Sequence, residues 1–158
     1  MVPGLDPFEE LCGIVDALSS AKIEFAVCGG LAVAIYGYAR TTQDIDILVR
    51  EEDLDDIQAT VQPLGFDIIS GFMRFKRGTP DERRIFRILK IEGSHDMMLD
   101  LILAAEGHND VWESRTTAEF EGRKFPIVSR LGLKKMKQEA GRAKDLADID
   151  ELGLDRVE

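Results

Sequence analysis

Apolar positions along this chain fall into two rhythms, one helical and one extended, and they alternate through the first half. Phe8, Leu11, Val15 and Leu18 recur at helical spacing. Asp6-Pro7-Phe8-Glu9 reads as the start of that helix, with Asp6 as N-cap, Pro7 at the first helical position and Glu9 three residues after the cap. Ile23 to Cys28 reads as a short buried strand. Leu31 to Tyr36 is apolar on every side and predicts a buried helix stopped at Gly37. Asp44 to Val49 has strand character. Leu54, Ile57, Val61 and Leu64 then define an amphipathic helix that ends at Pro63 to Gly65.

The middle reads as strand-rich. Phe66 to Ile69 and Phe72 to Arg77 flank Ser70-Gly71, which predicts a two-residue hairpin turn. Gly78 to Asp81 reads as a loop, and Ile85 to Ile91 and Met97 to Leu103 as strands separated by Gly93-Ser94. A polar stretch containing Trp112 follows, with Trp112 expected in the core or an interface. Lys124 to Val128 is the last expected strand. Ser129 caps a helix, and a second helix runs from about Arg142 to Leu152. The expected fold is α/β (α+β in a mixed sense), a mixed β-sheet flanked by helices with a C-terminal helical pair. The whole chain, 1–158, reads as one domain, its core at about 23–128 and its closing helices at about 129–153.

Charge alters this picture more than composition does. Lysine and arginine number 20 against 30 acids, a net charge of −10, which excludes a general nucleic-acid coat. Two basic islands interrupt the acidity. Lys76, Arg77, Arg83, Arg84, Arg87 and Lys90 face only Asp81 and Glu82; Arg130, Lys134, Lys135, Lys137, Arg142 and Lys144 face only Glu139. They suit a compact anionic ligand or a limited contact with RNA. Cys12 and Cys28 lie in segments that read as buried, and are expected as reduced, small hydrophobes. The first residues show no secretory signal, and no apolar run is long enough to span a bilayer, so a cytoplasmic location without membrane contact is expected.

Asp44 and Asp46 carry the chemistry. Strand side chains alternate, so both carboxylates project from one face while Ile45 and Ile47 point to the other. Paired carboxylates repel unless a cation sits between them, and the usual one is a hard divalent ion, Mg²⁺ first, with Mn²⁺ as its substitute. Asp100, a lone acid in the apolar run Met98 to Ile102, is the best third carboxylate, with Asp96 as fallback. Three such acids suit a two-metal displacement at phosphorus, in which Asp100 could also accept a proton. Gly29-Gly30 follows a strand and opens a helix, where a phosphate can approach the backbone closely. It is neither a dinucleotide fingerprint nor a P-loop, since no further spaced glycine or Gly-Lys-Ser/Thr follows. His95 and His108 are too few and too isolated for a zinc site.

Gly29-Gly30, thirteen residues, then Asp44-Ile45-Asp46-Ile47 resembles the signature of the DNA polymerase β-like nucleotidyltransferase superfamily. The segment Gly37-Tyr38-Ala39-Arg40-Thr41-Thr42 is similar to the Gly-x-x-Arg-x-Thr of its minimal bacterial branch, which includes AbiEii-type toxins. Lys137, Ala140-Gly141-Arg142, Lys144-Asp145 and Asp148 resemble that branch's closing block. The resemblance implies the polymerase β-like fold and a metal-dependent nucleotidyltransferase that moves a nucleoside monophosphate from an NTP such as ATP to a hydroxyl, releasing pyrophosphate. It implies catalytic and metal-holding roles for Asp44, Asp46 and Asp100. It implies phosphate contacts from Gly29, Gly30, Arg40, Thr42, Lys137, Arg142 and Lys144. The acceptor stays open between an RNA 3′ end such as that of tRNA, a protein side chain and a small molecule such as an antibiotic. A homodimer or a cognate partner protein could complete the cleft. The competing expectation is a non-catalytic nucleotide-binding member, or one half of a toxin–antitoxin pair.

Overall fold

The carboxylate of Asp6 accepts hydrogen bonds from the backbone N–H groups of Phe8 and Glu9, at 2.9 and 3.4 Å, and so starts helix α1 (Pro7–Ser20) as its N-cap. The computed structural model describes residues 4–38, 42–79, 82–104 and 109–153. After α1 come β1 (Ala26–Cys28), α2 (Gly29–Ile35), β2 (Asp44–Val49) and α3 (Leu54–Val61). Three long strands follow, β3 (Phe66–Phe75), β4 (Arg83–Glu92) and β5 (His95–Leu103). A short helix α4 (Asn109–Glu113) leads to β6 (Thr116–Phe120) and β7 (Arg123–Ile127). Helices α5 (Arg130–Ala140) and α6 (Ala143–Glu151) close the chain.

The strands form a seven-stranded sheet in the order β3-β4-β5-β2-β1-β7-β6. It is mixed: β2 runs parallel to β5, and β1 parallel to β7, while the remaining neighbours are antiparallel. Its two faces are told apart by side-chain parity. Lys90, one step out of phase with Arg87, hydrogen-bonds Glu10 of α1 at 3.0 Å, so α1 covers the face opposite Arg87. Helix α3 packs beside α1 over the same face. Ile45, Ile47, Leu99 and Leu101, all fully buried, form the core between the sheet and these helices. The N-terminus of α1 is pinned farther along by Phe8, whose ring meets Phe120 and Phe125 at centroid distances of 5.3 and 5.6 Å.

Two sequence expectations are corrected. Ser70-Gly71 is not a hairpin turn. β3 runs straight through it, with a register shift between Ile69 and Gly71 against β4, and Gly71 at φ +100°. The glycine absorbs the extra residue of a bulge, where a positive φ costs it nothing. The chain reverses only after Phe75, which pairs with Arg83; of the expected loop, Pro80 and Asp81 lie outside the described residues. The polar stretch around Trp112 holds α4 and an additional strand, β6, which turns through Glu121-Gly122 into β7. β6 is a sheet edge with mostly exposed side chains, so its sequence lacks the apolar alternation that marks a strand. Trp112 itself is buried, under the Arg115 guanidinium at 3.7 Å from the ring centroid. Cys28 is buried, Cys12 half-buried, and both are free thiols. Among the described residues no helix is long and apolar enough to cross a membrane.

Leu99 sits at the middle of the central strand β5 with none of its surface exposed. Leu99→Ala is expected to cost about 2–5 kcal/mol, the loss of a buried side chain plus the cavity it leaves, measured by urea denaturation.

Candidate active site

Asp46 and Asp100 are direct partners across the parallel pair β2–β5, and Asp44 stands opposite Met98, two residues back on the same face. The ladder is regular from Asp44 to Val49, so the three carboxylates converge by register alone. On the other side of β2, Cys28 pairs with Asp46, and the chain turns at once into α2. Gly29 makes that turn at φ +67°. A Cβ there would lie 2.8 Å from Cβ and Cγ of Asp46 and closer still to Oδ2, so the position has no room for a side chain. A Cβ on Gly30 would meet the Thr42 hydroxyl at 2.9 Å. That hydroxyl donates to the Asp44 carbonyl at 3.3 Å. The glycine pair thus lets the Asp-x-Asp strand and the loop before it press against the start of α2.

Crowding three acids has a measurable consequence. Burial, followed by the charges of Asp100 and Asp44, pushes the Asp46 carboxyl up to about 7. Burial and the charge of Asp100 raise Asp44 as well, against the pull of Arg87, Lys144 and Arg142. Among the described residues no ion pair joins a basic side chain to Asp44 or Asp46. Asp100 is compensated directly. Arg87, its cross-strand partner on β4, grips it through Nε–Oδ1 at 2.7 Å and Nη2–Oδ2 at 2.9 Å. Asp100 is buried in a central strand, not on an edge. Asp96 is exposed and four residues away, outside the cleft lining. Among the described residues no three His, Cys, Asp or Glu side chains are arranged to hold one metal ion.

The opposite wall comes from α5 and α6. The Ser129 hydroxyl caps α5 by accepting from Gly132 N–H at 3.0 Å, and Gly141 ends it at φ +65°. Lys137, 5% exposed, reaches from α5 to two buried acids of α6, Asp148 at 2.9 Å and Asp145 at 3.4 Å. Asp145 also binds Arg142, through Nε at 2.6 Å and its backbone N–H at 3.2 Å. Burial alone would raise the Asp145 carboxyl. The Arg142 hydrogen bond with the Lys137 and Arg142 charges outweighs it and holds the group below the usual range. Asp145 and Asp148 are therefore a buried clamp joining the helices, not a solvated face.

Between the walls lies a cleft of about 290 Å³. Gly29, Gly30, Thr42, Asp44, Asp46 and Asp100 line one side, and Lys137, Arg142 and Lys144 the other. The structure brings together every expected site residue except Arg40, which lies outside the described residues. It also assigns to the cleft three cations that the sequence left among six, Lys76, Arg83 and Arg87. Parity was the available signal. Arg83 and Arg87 share a face with Ile85, whereas Arg84 turns to Glu51 at 2.6 Å and Lys90 to Glu10. The middle basic island is thus split between two faces. His95 is exposed at the start of β5, and His108 lies outside the described residues.

The model of the aminoglycoside-2''-adenylyltransferase family matches residues 10–152. The chain belongs to that family. Solved structures carry the same nucleotidyltransferase fold at low identity. A Thermotoga maritima nucleotidyltransferase-fold protein shares 20% identity at TM-score 0.62, covering 91% of this chain and 90% of its own. The lincosamide antibiotic adenylyltransferase LnuA, with lincomycin bound, shares 17% at 0.62, covering 92% and 95%. ANT(2")-Ia with adenylyl-2"-tobramycin shares 17% at 0.60, covering 93% and 90%. No curated protein matches the sequence significantly.

Two stability outcomes test the electrostatics of this adenylyltransferase-family site. Lys137→Met leaves two buried carboxylates without their common cation, and is expected to cost about 3–5 kcal/mol in urea denaturation. Asp46 binds its proton more tightly folded than unfolded, so its contribution is greatest at low pH and is lost as pH rises from about 4 to about 7. Asp46→Asn removes that loss. The variant is expected to be more stable than the parent at pH 7 by about 1 kcal/mol or more, with the gap closing by about pH 4.

Proposed function

We propose that this chain transfers an adenylyl group from ATP to a hydroxyl of a small-molecule acceptor. The observation that carries the reading is the register of β2 against β5, which sets Asp44, Asp46 and Asp100 on one face beside a cleft edged by Arg142 and Lys144. Such a site needs negative charge on one side for a cation and positive charge on the other for a triphosphate. The acids fit a divalent ion by their chemistry: the Asp44–Asp46 pair lacks a direct cationic partner among the described residues, and both carboxyls are raised. Asp44 and Asp46 would hold Mg²⁺ or Mn²⁺, with Asp100 able to join them once Arg87 yields an oxygen. The ion would offset phosphate charge and lower the barrier to displacement.

The remaining work belongs to the chain. Arg142 and Lys144 neutralise the phosphates, and Gly29-Gly30 lets them approach the start of α2. Lys137 serves chiefly to tie α5 to α6, so its charge acts on the site from behind the clamp. Arg87 orients Asp100. Asp100 accepts the proton of the acceptor hydroxyl, whose oxygen bonds to the α-phosphorus. The bond from that phosphorus to the oxygen bridging to the β-phosphate breaks, and pyrophosphate leaves with the electron pair. The family and the antibiotic-modifying neighbours support a small acceptor. The division of the middle basic island counts against an RNA backbone. A toxin-type role, a cognate partner protein and a homodimer draw no support from the comparisons.

Incubation with α-labelled ATP and Mg²⁺, against total cellular RNA, lincomycin and tobramycin, tests the reading. Label is expected on a small acceptor and not on RNA. Asp44→Ala/Asp46→Ala is expected to reduce transfer by about a hundredfold or more. Label on RNA, or transfer that survives the double substitution, would overturn it.

A further inference from the structure

The two edges of the sheet are unlike. β6 is five residues long and carries Glu119, a short and charged edge of the kind that resists further pairing. β3 runs for ten residues with neither lysine nor proline, and its outer side is open. Such an edge presents a row of backbone groups to any strand that can match it. Its apolar side chains are also uncovered, Ile69 by 58% and Phe72 by 55%. These two are three residues apart, and in an unbroken strand they would point to opposite faces. The bulge at Ser70 changes that. Ile69 pairs with Ile88 and Phe72 with Phe86, so both lie on the helical face. Phe72 meets the Phe86 ring at 4.9 Å and the Arg84 guanidinium at 5.5 Å, which fixes its position without covering it. Ile68 and Met73, partners of Leu89 and Ile85, share the other face. Asp67 and Arg74 stand farther out on either side, both exposed. Among the described residues neither forms an ion pair, and Arg74 stands opposite another arginine, Arg84.

We propose that β3 is the contact edge of a symmetric dimer, in which a second copy of this chain adds its own β3 antiparallel about a two-fold axis at Ser70-Gly71. The strand is its own complement in that register. Ser70 of each copy meets Gly71 of the other, Ile69 meets Phe72, Ile68 meets Met73, and Asp67 meets Arg74. A two-fold axis through the sheet keeps the helical face of one copy beside the helical face of the other. Opposed residues must then share a face, and across this odd spacing they do so only because of the bulge. The two exposed apolar side chains cover each other twice over, as aromatic and β-branched cross-strand pairs do. The uncompensated Arg74 gains a carboxylate on each side of the axis. A net charge of −10 keeps copies of this chain apart in general, but the edge itself carries one acid and one base. An isologous contact of this kind closes on itself and ends at two copies. Asp67, Ile69, Phe72 and Arg74 all lie outside the cleft lining, so the dimer is independent of the nucleotidyl-transfer reading.

Sedimentation velocity on the full chain, from about 1 to about 100 µM, is expected to show a monomer–dimer equilibrium, the range suited to a small contact. Ile69→Lys is expected to weaken it by about a hundredfold, because the axis counts the lost apolar pair twice. Asp67→Arg and Arg74→Asp, each alone, set like charges opposite one another and are expected to weaken it by about tenfold or more. Mixed together, these two single variants recover both opposite-charge pairs and are expected to form a heterodimer as tight as the parent dimer. The four positions are exposed or at the strand edge, and urea denaturation of each variant is expected to match the parent. A chain that stays monomeric throughout, or one that grows beyond two copies, overturns the proposal. So does a dimer indifferent to Ile69→Lys, or a mixture of the two charge variants that fails to pair.

Discussion

Three carboxylates on adjacent central strands repel one another, and the architecture around them is arranged to contain that repulsion. Asp100 is held in a two-point grip by Arg87 from the neighbouring strand. Asp44 and Asp46 have no such partner among the described residues and respond through raised proton affinity. Cations at longer range, Arg83 and Lys137 for Asp46, Arg87, Lys144 and Arg142 for Asp44, lower the cost without removing it. A fold that stabilised itself alone would have paired these groups or dispensed with them. On the proposed reading, a bound cation would complete the compensation.

The same economy explains the closing helices. Their contact is electrostatic at its centre, with one buried lysine shared by two buried aspartates and a capping arginine. Because the acids outnumber the lysine, Arg142 is drawn to the end of α6, where it lines the cleft as well as completing the clamp. The α5–α6 junction and the cationic wall of the cleft are therefore one structure, and a change in either is felt in both.

Division of the basic island at 76–90 also bears on function. In one dimension it reads as a single positive patch. Strand alternation sends Arg83 and Arg87 toward the carboxylates and Arg84 and Lys90 toward acids on the helical face. Beyond Arg87 the carboxylate face continues through Leu89, Ile91 and Met98 to Asp96. Read along the chain, the island would have suited an RNA contact; the folded sheet divides it between two faces.

The chain by itself determined a good deal. Helix starts at Asp6 and Ser129, the buried strand before Gly29-Gly30, and the Asp44–Asp46 pair follow from local rules of capping, alternation and spacing, and local rules act within a few residues. The choice of Asp100 as third acid was legible because an ionised group in an apolar strand must be satisfied somewhere. The bulge at Gly71 was not legible, because a glycine between apolar runs suits a turn and a bulge equally, and only the partner strand decides. β6 was hidden because an exposed edge lacks a buried face to write a pattern. The grip of Arg87 on Asp100, the clamp at Lys137 and the split of the basic island all depend on cross-strand register or helix docking. Those are contacts between residues far apart in sequence, set by how the sheet assembles, and no local pattern encodes them.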